Sequence, residues 1–443
     1  ERLGFAEYFL VVWDIVRFAR GHGAPIAGRG SGASSIAAYA LGVTNVCPLA
    51  FNIPFERFLH EGREDFPDLD IDLCWRIRDE VIDYAFRRWG PEHVSMICTH
   101  NTFQPRSALR ETAKAFGLSN DQITRLADAG GPGTGPAGAA IPGVRPETSE
   151  RIVRLSRAIL DLPHLLSVHP GGIVITPRPI DRYAPLQRAA KGVRITQPDK
   201  DGVEDLRLVK IDLLGNRNLS TVRAACDLVR ERSGRTVDVE AIAPDDPATV
   251  ELVRSADTVG CNQLESPAMR HLLTHLRPAG VADVMKALAL IRPGAAGIGM
   301  KETFVRRHRG LETAPAGHPR VDAVLADGYG VMCYEDDVML VAAALLGGTL
   351  AEADRFRKAV QKCPHDRARR ELSREFLAGC RANGVDLEYA KGLWGQMAKF
   401  NAYSFCRAHA ASYGVLAYAS AYLKAHWPAE YWTSCLNNNQ SMY

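Results

Sequence analysis

Residues 66 to 75 read FPDLDIDLCW, and the alternation inside this run constrains the fold more tightly than any other feature of the chain. Asp68, Asp70 and Asp72 occupy every second position, with Leu69, Ile71 and Leu73 between them. A period of two is that of a β-strand, whose successive side chains point to opposite faces, so one face carries the apolar residues and the other three carboxylates. Like charges that close repel one another and are tolerated together when a cation sits among them. Hard oxygen donors suit Mg²⁺ or Mn²⁺. The alternative is a polar strand face bathed in solvent, and the motif alone leaves both readings open.

Two further runs carry chemistry. In LVKIDLLG, residues 208 to 215, Lys210 and Asp212 share a face of a strand whose other positions are apolar. That pattern fits a structural ion pair, or another metal carboxylate with a cation beside it to meet a phosphate. In AGRGSGASS, residues 27 to 35, glycines follow a short strand and precede a helix expected from about Ala33. Such a turn lets backbone N–H groups approach an anion, with Arg29 and Ser31 adding a charge and a hydroxyl. It is not a Walker A loop, since no Gly-Lys-Ser/Thr closes it, nor the dinucleotide fingerprint. Taken together, a phosphate cradle, carboxylates on one strand and a carboxylate on a later strand describe a two-metal site for nucleotidyl transfer.

The rest of the sequence sets the frame. At 443 residues the chain has material for roughly two or three domains. Its net charge of +3 does not by itself nominate a nucleic-acid partner, so basic residues that meet one must be grouped locally. The ten cysteines show neither CxxC pairs nor zinc spacing, and we read them as reduced thiols. No apolar run approaches the roughly 20 residues that span a bilayer, and no signal peptide is recognisable, so a cytoplasmic protein without a membrane partner is expected. The opening at Glu1 inside a helical pattern suggests a piece of a longer protein. An α/β body, with helical patterns at Phe5 to Arg20, from about Ala33 and over RDEVIDYAFRRWG, runs to about Asn216 and is interrupted by a helical insert from 102 to 165 with a Gly/Pro-rich loop near 129 to 146; amphipathic helices follow.

The ordered set GRGSGASS, FERFL, PDLDIDL, RDEVIDY, HPGGIVI, TQPDKDGVEDLRLVKIDLLG, QLESPAM, RPG, YEDDVM and SFCRAHAASYGVLAYASAYLKAHWPAEY resembles family C DNA polymerases, the bacterial DNA polymerase III alpha subunit. The resemblance runs over nearly the whole chain. It implies an α/β palm of the polymerase beta-like nucleotidyltransferase type, with a helical thumb insertion and a large, mainly helical fingers domain. The expected boundaries are palm 1–101, thumb 102–165, palm 166–217 and fingers 218–443. It implies template-directed addition of deoxynucleotides to a primer 3′ end with release of pyrophosphate, using two Mg²⁺ ions, with Mn²⁺ as a substitute. The alternative is a catalytically silent fragment that binds primer-template or nucleotide.

By the same resemblance Asp70, Asp72 and Asp212 are the metal-binding catalytic carboxylates, and Asp68 supports them. Arg29, Gly30, Ser31, Lys210, Arg292 and His409 are expected at the nucleotide and its phosphates, with His409 lying near Tyr403, Phe405 and Arg407. Arg106, Arg110, Arg306, Arg307, Arg355 and Lys358 are expected at DNA, along with Arg357. The implied partners are primer-template DNA and deoxynucleoside triphosphates, and, for a full-length protein, the sliding clamp and other replisome subunits at the nucleoid. Departures from the common pattern fall in the fingers: Ala295 ends RPGA, Asn262 precedes Gln263, and Arg407 stands where lysine is commoner. The palm carboxylates match. A catalytic core fragment is therefore expected, without the family's flanking phosphoesterase-like, helix-hairpin-helix, clamp-binding and OB segments.

Overall fold

The computed structural model describes residues 3–62, 66–128, 143–291, 299–363, 366–400 and 405–438. Arg292, Ala295, Tyr403 and most of the Gly/Pro-rich run lie outside the described residues. Seven strands occur among those described: β1 (Ile26–Arg29), β2 (Asp70–Cys74), β3 (Val94–Thr102), β4 (Pro163–Ile175), β5 (Leu186–Arg188), β6 (Arg194–Thr196) and β7 (Lys210–Asn216). The chain divides into two compact units, one of Glu1–Gly90 with Ile211–Tyr443 and one of Pro91–Lys210.

The first unit opens with the helix Ala6–Gly21, which buries Val12, Ile15, Val16 and Ala19 at helical spacing. β1 follows and pairs antiparallel with β2, which in turn pairs parallel with β7. Ile71 and Leu73 are fully buried, so the apolar half of the Asp-rich alternation faces a core as its period requires. After β1 the backbone turns at Gly30, whose φ of 70° is the left-handed region that side chains resist. A 3₁₀ turn over Gly30–Ser34 results, and the α-helix begins at Ile36, later than the expected Ala33. Ser35 caps it by accepting from the Ala38 N–H.

Beyond β7 this unit is helical. Asn216 caps the helix Arg217–Ser233 by accepting from the N–H groups of Asn218 and Leu219, and Gly234 closes it in the left-handed conformation. The helix Arg407–His426 is buried along most of its length. Gly414 allows this close packing, because a Cβ there would lie 3.2 Å from the Met285 Cα. One core joins Ala27 and Ala33 near the glycine turn to Leu219, Met285, Leu288 and Leu416 of the helices. Ser412 Oγ is within 3.0 Å of the carbonyl oxygens of both Gly28 and Ala408, which ties that helix to β1.

The second unit pairs β3 antiparallel with β4 from Val94↔Ile175 to Thr102↔Pro163, with irregularities in register, and β3 parallel with β6 at Met96↔Ile195. β5 and β6 are antiparallel. Three helices, Pro105–Ala115, Asn120–Asp128 and Pro146–Ala158, bury Leu109, Ile123, Leu126 and Ile152 together. Each such buried aliphatic side chain contributes roughly 1.5–3 kcal/mol. Among the described residues no disulfide joins the ten cysteines, and no helix is long and apolar enough to cross a membrane.

Candidate active site

Strand register assembles the acidic residues. Asp70 lies opposite Arg29 in the antiparallel β1–β2 ladder and opposite Asp212 in the parallel β2–β7 ladder. Cross-strand partners lie about 4.5–5.5 Å apart at Cβ, so these three side chains converge through pairing alone. Asp68, two residues earlier, projects to the same side of the chain. One carboxylate oxygen from each of Asp68, Asp70 and Asp212 lies within 4.8 Å of the other two. Three hard, anionic oxygens in so small a space are the donor set that Mg²⁺ or Mn²⁺ prefers, and the residues present fit such an ion.

Asp72 stands apart from this cluster. Its Oδ1 accepts from Arg29 Nε at 2.8 Å and its Oδ2 from Asn216 Nδ2 at 2.9 Å. The expectation placed Asp70 and Asp72 together as ligands with Asp68 in support; within 4.8 Å the structure brings together Asp68, Asp70 and Asp212, while Asp72 accepts from the Arg29 guanidinium and the Asn216 amide. Arg29 also donates from Nη1 to Asp70 Oδ2 at 3.0 Å. Burial works against the charge of Arg29, but the Asp70 and Asp72 carboxylates outweigh it and hold the guanidinium firmly protonated.

Backbone completes the wall. At Gly30 a Cβ would come within 3.3 Å of Asp70 Oδ2, and at Gly32 one would run into the Leu69 side chain. Ser31 is half-buried in the same 3₁₀ turn. Lys210 opens β7, half-buried, two residues before Asp212 and on the same face of that strand. His409 is half-buried near the start of the helix Arg407–His426, its ring edge-on to Phe405 at 4.7 Å and to Tyr413 at 4.6 Å between centroids.

The basic residues expected at DNA divide by environment. Arg106 is exposed and meets Asp128 at 3.3 Å, while Arg110 is half-buried four residues on. Both line a concavity of about 640 Å³ with His100, Gln104, Ser107 and His164, and Asp199 lies 3.7 Å from His100. Arg306 and Arg307 both donate to Glu312, at 2.8 and 2.9 Å, and Arg307 also to the Tyr329 carbonyl. Arg355 is exposed and Lys358 half-buried, 3.9 Å from Asp354. Arg357 is only 3% exposed and is held by Asp354 and Glu335 at 2.9 and 3.2 Å.

Sequence reasoning missed two features. The first is a buried ionic network at the start of the helix Glu335–Leu346, where Glu335 joins Arg57 at 2.6 Å and Arg357, and Asp337 joins Arg407 at 3.2 Å. Arg407, placed by sequence beside the nucleotide, is buried here, its N–H donating to Asp336 at 2.6 Å and its Nη1 to the Asn52 carbonyl. The acidic run EDD was the available signal. The second is Tyr8, whose hydroxyl accepts the Leu69 N–H at 3.0 Å. Burial, together with the charges of Asp68, Asp70 and Asp212, pushes its phenol far above the ordinary value despite the Leu69 N–H. Its place in an amphipathic helix gave no hint of this.

Comparison with known proteins agrees with the site. Residues 1–215 match the bacterial DNA polymerase III alpha NTPase domain, and residues 218–384 match the bacterial DNA polymerase III alpha subunit finger domain. The error-prone DNA polymerase of Symbiobacterium thermophilum is 39% identical over 446 residues, which cover 98% of this chain and 41% of that protein. The DNA polymerase III subunit alpha of Thermus aquaticus is 35% identical over 454 residues, covering 99% and 37% respectively. That of Aquifex aeolicus is 33% identical, covering 100% and 41%. The chain thus spans about two fifths of the length of these relatives.

Proposed function

The chain belongs to the family C DNA polymerases, the group of bacterial DNA polymerase III alpha subunits and error-prone polymerases, and from that premise we propose that it adds deoxynucleotides to a primer 3′ end under the direction of a template. The observation that carries this reading is the convergence of Asp68, Asp70 and Asp212 beside the Gly30 turn. Divalent cations bound there would activate the primer hydroxyl and stabilise charge on the α-phosphate during in-line displacement of pyrophosphate.

The protein's own groups have separable tasks in this proposal. Asp70 and Asp212, fixed by strand register, hold the ions, and Asp68 completes the donor set. Asp72 aims Arg29, whose planar fork is suited to phosphate oxygens. The 3₁₀ turn at Gly30 and Ser31 brings backbone N–H groups to the triphosphate, and Lys210 supplies a further cation. His409 lies on the nucleotide's side of the fingers. Arg106 and Arg110, which share one concavity, meet the duplex phosphates, and Arg355 and Lys358 meet the template strand. In this reading residues 1–101 and 166–217 form a palm of the polymerase beta-like type, 102–165 the thumb and 218–443 the fingers. Clamp and replisome contacts belong to the full-length polymerase.

Primer extension with Mg²⁺ on a defined template at low salt tests the proposal, because contacts to DNA phosphates weaken steeply as salt rises. Templated extension by the wild type that is lost in Asp70→Asn and Asp212→Asn is expected. Extension that ignores the template sequence, or that survives both substitutions, would overturn it.

A further inference from the structure

Register fixes Asp70 and Asp212 but not Asp68. The β2–β7 ladder begins at Asp70↔Asp212, and residues 66–69 lie ahead of the strand without regular structure. Something else must hold the peptide that carries Asp68 in place. The first turn of the opening helix does so at both ends of the run. Phe5 packs edge-on against Phe66, with ring centroids 6.0 Å apart, and the Tyr8 hydroxyl accepts the Leu69 N–H at 3.0 Å. Leu69 itself is 2% exposed, so this N–H sits where water does not readily replace a lost partner.

We infer that Tyr8 is a positioning residue of the cation site: by pinning the peptide that joins Asp68 to Leu69 it sets the direction in which the Asp68 carboxylate projects. This rests on the metal-binding reading proposed above. A residue needed only for packing at this place has no use for a hydroxyl. Phenylalanine would fill the same volume without bringing a polar atom beside three carboxylates. A phenol suits the task because its oxygen accepts from the peptide while its rigid ring, anchored in a helix, limits where that oxygen can go. Groups that orient metal ligands without touching the ion commonly govern metal affinity.

The test is a Mn²⁺ titration of the polymerase without nucleotide, followed by electron paramagnetic resonance, on the wild type and on Tyr8→Phe, Asp68→Asn, Asp70→Asn and the Tyr8→Phe/Asp68→Asn pair. Tyr8→Phe removes one oxygen and keeps the ring. Its Mn²⁺ affinity should fall about tenfold. It should melt a few degrees lower in chelator, because the Leu69 N–H is orphaned, yet remain fully folded at the temperature of the titration. The pair should bind no more weakly than Asp68→Asn alone, since Tyr8 acts through that carboxylate. Wild-type affinity in Tyr8→Phe, alongside loss of binding in Asp70→Asn, overturns the inference and leaves the metal site standing. Wild-type affinity in Asp70→Asn removes the metal reading itself. A weakening matched by loss of folded protein in chelator makes Tyr8 a packing residue and overturns the inference too.

Discussion

Asp70 and Asp212 are direct partners in a parallel ladder, β2 against β7, although they stand 142 positions apart in the chain. Parallel pairing demands a crossover connection, and here the chain builds the whole of its second unit between the two strands. The carboxylates repel each other in the absence of a counter-ion. Asp212→Asn should therefore melt no lower than the wild type in chelator, yet gain none of the stabilisation that millimolar Mn²⁺ gives the wild type by mass action. Differential scanning fluorimetry with and without Mn²⁺ reads both effects. Extension activity should fall by roughly 10²–10³-fold, the scale seen when a preorganised electrostatic group is removed.

Arg29 answers two carboxylates at once. Removing its guanidinium leaves Asp72, whose side chain is 6% exposed, with only the Asn216 amide. Arg29→Gln should cost about 3 kcal/mol of stability, at the low end for breaking a buried ion pair because Arg29 keeps some contact with water. Arg29→Lys should recover only part of this, since an ammonium cannot span Asp70 and Asp72 as the planar fork does. Urea unfolding in chelator separates the three proteins.

Gly30 is required on two counts, a positive φ and a Cβ that would stand 3.3 Å from Asp70 Oδ2. Gly30→Ala should destabilise the fold by about 1–2 kcal/mol, the usual cost of a left-handed L-residue. It should also raise the deoxynucleotide KM more than it lowers kcat, because the strained turn is where backbone N–H groups would meet the triphosphate. Steady-state extension at varied nucleotide concentration tests the split.

How far these features could be read in the sequence depends on the range of the interaction. Alternation in a strand is local, so FPDLDIDL and LVKIDLLG disclosed their carboxylates, and GRGSG disclosed its turn. Alternation cannot rank residues that it treats alike. Asp68 and Asp72 look equivalent on paper, and only the folded chain shows that Asp72 accepts from Arg29 and Asn216 while Asp68 lies by Asp70 and Asp212. The buried surroundings of Arg357 and Arg407 were hidden for the same reason. Both look like surface cations in helical runs, but their partners come from the EDD run at 335–337, 71 residues distant in the case of the Asp336–Arg407 bond. Nothing short of the folded chain brings those charges together.

That difference in environment separates two neighbouring arginines experimentally. Arg357 is buried between Glu335 and Asp354, whereas Arg355 is exposed. Arg357→Ala takes one cation from two buried carboxylates, leaving Glu335 with Arg57 and Asp354 with Lys358, and should cost about 3 kcal/mol, the low end for a broken buried pair. Arg355→Ala should leave the melting temperature within about a degree, surface changes being worth less than roughly 0.5 kcal/mol. If Arg355 contacts DNA, its removal should instead weaken duplex binding and flatten the dependence of log affinity on log salt by about one unit. Fluorescence anisotropy over a salt series checks this, and an unchanged slope would remove Arg355 from the interface.

The acid limb of the stability curve should carry the signature of Asp246. This residue caps the helix Pro247–Arg254, accepting from the Thr249 N–H at 2.9 Å and the Thr249 hydroxyl at 2.7 Å, with His426 Nε2 at 2.9 Å. Burial raises its carboxyl pKa, but the hydrogen bonds from Thr249 and His426 outweigh burial and leave it below the ordinary value. A carboxylate depressed in the folded state contributes stability that is present above the unfolded pKa and lost as pH falls through the folded one. Wild-type stability should thus decline below about pH 4, where unfolded aspartate takes up its proton. Asp246→Asn keeps a cap and should show a shallower decline, while Asp246→Ala should lose about 1 kcal/mol at neutral pH as well. Urea midpoints of the three proteins between neutral and acid pH decide it, and identical acid slopes in wild type and Asp246→Asn would show that the carboxylate contributes nothing there.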